Sequence, residues 1–192
     1  MSLLTVEEFD NVSHFPGKLT RKQKKQFRKN NNNSLKLKNV FPKTINQEKA
    51  FDLYNKDYNL LLHGLAGTGK TYISLYLALS DIINGYTDHT NLTLVRSVVP
   101  TRDMGFLPGT EKEKSKVYEA PYMNICNDIF GRGDAYDILK GKNIIKFVTT
   151  SYIRGITLDD SIVLVDEAQN LNFHELDSII TRLGDNSRIM FC

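Results

Sequence analysis

One stretch limits the folds open to this chain more than any other. It runs from Leu60 to Thr71 and reads Leu-Leu-Leu-His-Gly-Leu-Ala-Gly-Thr-Gly-Lys-Thr. The apolar start suits a buried strand, and the apolar-rich Tyr72–Leu79 that follows suits a helix. Between them Gly64, Leu65, Ala66, Gly67, Thr68, Gly69, Lys70 and Thr71 satisfy G-x-x-x-x-G-K-[ST], the phosphate-binding loop, in its required strand–loop–helix setting. The glycines allow backbone N–H groups to turn inward around an anion. Lys70 would reach the β- and γ-phosphates, and the Thr71 hydroxyl would join a Mg²⁺ shell. A nucleoside triphosphate with Mg²⁺ is the expected ligand.

A second signal lies 96 residues beyond Lys70, where Ser161-Ile-Val-Leu-Val-Asp166-Glu167 brings two acids to the end of an aliphatic run. In an open α/β sheet the carboxyl ends of buried parallel strands are where ligands bind. Asp166 is the expected metal residue with Thr71, because Mg²⁺ keeps its waters and takes few protein oxygens. Glu167 is the expected general base for the attacking water.

The rest of the chain alternates in the same sense. Strands are expected at 92–96, 144–150 and 188–192, and helices at 44–54, 111–130 with an interruption at Pro121, 134–139 and 173–183. Thr44 and Gln47 have capping-box spacing, and Ile45, Lys49 and Phe51–Leu53 read as a partly apolar helix face. Asn172 caps the helix whose face is Leu176, Ile179, Ile180 and Leu183. The fold class expected is α/β, a RecA-like domain with a mostly parallel sheet and helices on both faces, covering 41–192.

Composition adds an asymmetry. Ten basic residues and no acid lie between Lys18 and Lys43, leaving 15 basic against 22 acidic residues elsewhere. Residues 1–40 therefore read as a basic arm, with a short helix at Thr5–Phe9, a partly helical Lys18–Lys29 and an Asn30–Asn33 hinge. The arm suits either nucleic-acid phosphates or a solvated tail. Arg96 and Arg102, on loops above the sheet, are further candidates for phosphate contact. No apolar run reaches the roughly 20 residues of a membrane helix. Acids near Met1 do not suit a signal peptide. Two distant cysteines argue against a disulfide framework or zinc site, and a reducing cytoplasm is the simplest setting.

These features together resemble the PhoH family of phosphate-starvation-type ATPases, related to the motor core of superfamily 1 helicases. The resemblance runs from about Pro42 to Cys192. It rests on Gly64–Thr71, Gly105-Phe-Leu-Pro-Gly109, Tyr152-Ile-Arg-Gly-Ile-Thr-Leu158, Asp166-Glu-Ala-Gln-Asn170 and Thr181-Arg-Leu-Gly184. It implies a cytoplasmic ATPase of bacterial or phage type, RNA ahead of DNA as partner, and assembly into a homo-oligomeric ring. In helicase-like ATPases a glutamine at the position of Gln47 reads the adenine edge. Arg154 and Arg182 match family arginines that would stabilise phosphoryl transfer, in the same subunit or a neighbour. The family pattern continues past this last strand with Gly-Asp and a later glutamine, so the resemblance leads to the expectation of a C-terminal truncation. Two other readings stay open on the residues alone: a small-molecule P-loop kinase, and a non-catalytic ATP-dependent assembly or RNA-binding module.

Overall fold

The computed structural model describes residues 35–97 and 111–192, with side chains in the latter stretch from residue 116. Residues 1–34 of the basic arm, Arg102 and the Gly105–Gly109 loop lie outside those residues.

Within the compact unit Lys36–Cys192, the order is α1 (Ile45–Asn55), β1 (Leu60–Leu61), α2 (Lys70–Asn84), β2 (Asn91–Arg96), α3 (Glu111–Phe130) and α4 (Ala135–Gly141). There follow β3 (Ile145–Thr149), β4 (Ser161–Asp166), a 3₁₀ turn (Ala168–Asn170), α5 (Phe173–Ile180) and β5 (Arg188–Phe191). The five strands form one sheet in the order β1-β5-β4-β2-β3, and every pairing is parallel. Parallel strands need helical crossovers, which is why helix and strand patterns alternate along the chain.

β4 is buried at all six positions, as a strand covered on both faces and both edges must be. Alternation along the strands divides the core. Val95, Val163, Val165 and Ile189 face Ile179 of α5, together with Ile153 and Leu158 from the loop before β4. The intervening residues Leu92, Leu94, Ile162, Leu164 and Met190 are fully buried on the other face, where α2 packs on β2 and β4. Asp166 shares that second face, on the side of α2.

Several boundaries differ from the sequence expectations. α2 starts two residues earlier than Tyr72, at Lys70, with Gly69 as its left-handed N-cap. Pro121 lies inside a continuous α3. The lost backbone bond costs about 3 kcal/mol, and burial of Tyr122, Cys126, Ile129 and Phe130 on the following turns outweighs it. α5 stops at Ile180 with Thr181 as its C-cap, and Leu183 instead bridges to Leu158. Ile180 is 51% exposed, so it does not belong to the buried face.

The apolar face expected for α1 is only partly the one buried: Phe51 is half-buried against Tyr76 of α2. Ile45 and Leu53 are exposed, while Ala50 and Tyr54 are buried. The cause is a polar cluster at the amino ends of the strands. Tyr54 donates its hydroxyl to Asp81 Oδ2 (3.0 Å) in α2. The Arg188 guanidinium lies 4.0 Å over the Tyr54 ring and donates to the Tyr54 carbonyl (2.6 Å) and to Asp57 (3.1 Å). Burial and the Asp81 charge raise the Tyr54 phenol well above its usual range, so it stays a donor. Tyr54→Phe would strip a donor from a buried carboxylate whose other oxygen has no partner. A loss of about 1–3 kcal/mol is expected in urea unfolding. A variant as stable as wild type would show that the cluster does not hold α1 to the sheet.

Candidate functional site: a nucleotide cleft at the carboxyl edge of the sheet

The phosphate loop leaves β1 and enters α2, as the motif requires. Gly67 and Gly69 take φ of 78° and 84°, in the left-handed region that favours glycine. A Cβ on Gly69 would also lie 3.6 Å from the Gln47 amide nitrogen. Lys70 Nζ reaches back over the loop to the carbonyls of Gly64 (2.9 Å) and Leu65 (3.0 Å). Its ammonium is thereby held above the amides of the loop, where a phosphate would lie.

The two halves of the motif meet directly. Thr71 Oγ1 donates to Asp166 Oδ1 at 2.8 Å, although 95 residues separate them. A hydroxyl and a carboxylate so placed fit Mg²⁺, a hard cation that accepts few protein oxygens and takes the rest from phosphate and water. Glu167 has φ of 54°, a left-handed conformation uncommon for a residue with a side chain. That turn swings the chain off β4 so that Ala168 N donates to the Cys192 carbonyl (2.7 Å). The Glu167 carboxylate accepts from the Gln169 amide.

These groups line one open cavity of about 600 Å³, with Gly64, Ala66, Gly67, Gly69, Lys70 and Thr71 on one wall and Asp166, Glu167, Gln169 and Cys192 on another. A second cleft of about 680 Å³ is bounded by Phe41, Pro42, Lys43, Gln47, Tyr72 and Asp128. Gly67, Gly69 and Tyr72 line both, so the clefts adjoin across the loop. Gln47 is placed to serve the second. Its carbonyl oxygen accepts from Lys43 N (2.7 Å), and its amide donates to the Thr68 carbonyl (3.2 Å). One N–H and one lone pair of the side chain are left over. The expected capping box is therefore half made: Thr44 caps Gln47 N (3.3 Å), while the Gln47 side chain reaches one residue further back.

Residues that sequence reasoning did not single out complete the walls. Tyr72, next to Thr71, donates to Asp128 Oδ2 (2.9 Å), and Lys38 donates to Oδ1 (3.3 Å). Partial burial and the Asp128 contact push the Tyr72 phenol up to about 12. The same two donors, Tyr72 first, hold the Asp128 carboxyl below its ordinary value. Tyr122 of α3 is fully buried and donates to Asp166 Oδ2 at 2.7 Å. Its partner lies 44 residues on, so no local pattern marks it. Burial raises the Cys192 thiol to about 11, partly offset by its contact with Ser74 (3.1 Å).

The arginines are not brought to this cleft together. Arg96 ends β2 with its Cα in register with Asp166, and its guanidinium stands 6.0 Å over the Tyr118 ring. Arg154 is exposed in the loop after β3. Arg182 pairs through its carbonyl with Leu158 N (2.8 Å), before β4 begins. Six residues of β4 span roughly 20 Å at about 3.3 Å each, so Arg182 lies at the opposite edge of the sheet from its own phosphate loop. The expectation that it acts within its own subunit does not suit that position.

An α/β domain whose G-x-x-x-x-G-K-T loop and Asp166-Glu167 pair share one cavity at the carboxyl edge of a parallel sheet is a P-loop nucleotide-binding domain in build. A family profile described as PhoH-like protein matches residues 39–192, and the chain belongs to the PhoH family, whose members are generally P-loop ATPases. It is 35% identical over 157 residues to Protein PhoH2 of Bacillus subtilis, covering 79% of this chain and 35% of that protein. It is 34% identical over 155 residues to a PhoH-like protein of the same organism, covering 81% and 48%. Against a PhoH-like protein of Mycobacterium leprae the figures are 33% over 156 residues, covering 80% and 43%. The chain thus spans from about a third to half the length of these relatives. Among the described residues no helix is long and apolar enough to cross a membrane.

Glu175 braces the cleft from behind. Its carboxylate accepts from Thr150 Oγ1 (2.7 Å) and Ser97 Oγ (3.2 Å), and closes a capping box with Asn172. Partial burial pushes its pKa up, but these hydrogen bonds together hold it below the ordinary 4.5. A carboxyl lowered by folding stabilises above its unfolded value, and that contribution disappears as pH falls through the folded value. Thermal unfolding against pH should therefore show wild type losing stability below pH 4.5 faster than Glu175→Gln. Parallel curves would mean that the charge of Glu175 contributes nothing.

Proposed function

We propose that this chain carries the ATP-binding and ATP-hydrolysing site of a Mg²⁺-dependent ATPase that acts on nucleic acid, RNA ahead of DNA, in the cytoplasm. The observation that carries the reading is the 2.8 Å hydrogen bond from Thr71 to Asp166, with Lys70 and Glu167 lining the same cavity. A hydroxyl that gives its proton to the carboxylate keeps a lone pair for the metal.

Bound Mg²⁺ would supply charge neutralisation at the β- and γ-phosphates. The amides from Leu65 to Thr71 and the Lys70 ammonium hold the phosphates in place. Glu167 orients a water for in-line attack and takes its proton. The remaining N–H and lone pair of Gln47 match the donor and acceptor that an adenine presents, with Phe41 and Tyr72 as apolar walls.

The nucleic-acid part of the reading is supported by the basic run between Lys18 and Lys43 and by Arg96 at the sheet's upper edge. A ring would give Arg182 and the exposed Arg154 a use, since each would meet a neighbour's nucleotide rather than its own.

Phosphate release from ATP tests the core of the proposal. Lys70→Ala should remove binding and turnover together. Glu167→Gln should lower turnover at least about 100-fold, the low end expected of a general base, while fluorescent ATP analogues still bind. Wild-type turnover in either variant would move the chemistry elsewhere. Added single-stranded RNA should raise the rate more than DNA of the same sequence; equal rates with and without either would remove the nucleic-acid coupling.

A further inference from the structure

Asp166 is 5% exposed, and from the described residues each of its two oxygens accepts one hydrogen bond. Thr71 holds Oδ1 at 2.8 Å and Tyr122 holds Oδ2 at 2.7 Å. The Thr71 bond comes from the first turn of α2 and belongs to the motif. The Tyr122 bond comes from α3, which the motif does not include. Tyr122 is fully buried and packs 6.0 Å from the Phe147 ring on β3, so its hydroxyl has little freedom to leave. Two bonds to opposite oxygens fix the plane of a carboxylate, whereas one would leave it free to swing about that contact.

We propose that Tyr122 is a positioning residue for the metal: its hydroxyl orients the Asp166 carboxylate so that the free lone pairs face a divalent cation beside Thr71. This rests on the nucleotide-site reading above and extends it to a residue outside the motifs. Two further observations agree with it. α3 runs along the cleft, with Tyr122 at Asp166, Ile125 on the wall of the phosphate cavity and Asp128 bonded to Tyr72. Arg96 lies beside the same phenol. The sequence Arg96–Tyr122–Asp166 thus links the end of β2 to the metal position through one hydroxyl.

A partner behind a metal carboxylate acts by holding its geometry, and losing such a partner typically weakens the metal about 10- to 100-fold. The test is a MgCl₂ titration of fluorescent ATP-analogue binding, using wild type, Tyr122→Phe and Tyr122→Met. Both substitutions remove the hydroxyl and keep an apolar side chain of similar reach. The Mg²⁺ midpoint is expected to rise about tenfold in both variants, with affinity for the metal-free nucleotide unchanged. Asp128→Asn, on the same helix, is the control for a displaced α3. It should weaken nucleotide with and without Mg²⁺ alike and leave the midpoint in place.

A folded Tyr122→Phe or Tyr122→Met with an unmoved midpoint overturns the proposal. So does an equal loss with and without metal, which would make Tyr122 a packing residue. If one variant unfolds, the other decides. A wild-type chain whose nucleotide binding ignores Mg²⁺ would instead sink the nucleotide-site reading itself, and this inference with it.

Discussion

The Asp166 carboxylate is the constraint on which the rest of this structure turns. A charge at the end of a fully buried strand is costly unless its oxygens are satisfied. Here the two hydrogen bonds come from two different helices, Thr71 on α2 and Tyr122 on α3. The polar requirement of one residue thus fixes how both helices sit on the sheet. The apolar packing beneath them is abundant but directionless, and would tolerate small shifts that these bonds do not. The cleft is organised by the same group that would meet the metal.

What was legible in the sequence was what local pattern determines. The phosphate loop, the aliphatic run ending at Asp166-Glu167 and the alternation of helix and strand all depend on residues near one another in the chain. The illegible parts depend on distant partners. Tyr122 meets Asp166 and Tyr72 meets Asp128 only after the sheet has formed. The buried face of α1 was partly misjudged because Tyr54 is drawn in by Asp81 and Arg188 rather than by helical periodicity. Arg182 was a candidate because it matches a family arginine beyond β4, but α5 carries the chain back down the sheet before Arg182 is reached, which suits a neighbouring subunit's site rather than its own.

Glu167 and Glu175 show how the segment after β4 serves two ends. The left-handed turn at Glu167 redirects the backbone, and the 3₁₀ turn delivers Asn172 to cap α5. From there Glu175 ties that helix to Thr150 and Ser97, at the ends of β3 and β2. Three strand ends and the glutamate are therefore joined by short polar contacts. A displacement of the backbone after Ser97 would be felt at Glu175, and through the capping box at the turn that aims Glu167.

The strand order carries a consequence for how the loop itself is held. β1 is an edge strand of two residues, and β5 is its neighbour in the sheet. Leu60 and Leu61 pair with Met190 and Phe191, Leu62 N donates to the Phe191 carbonyl, and Ile189 N donates to Asn59. Fraying of β5 would release the root of the phosphate loop while the β4-β2-β3 ladder stayed zipped. Occupation of the loop and docking of β5 are then thermodynamically linked, each strengthening the other by the same free energy. Slowed amide exchange at Ile189 to Phe191 would report nucleotide occupancy from behind the loop rather than within it.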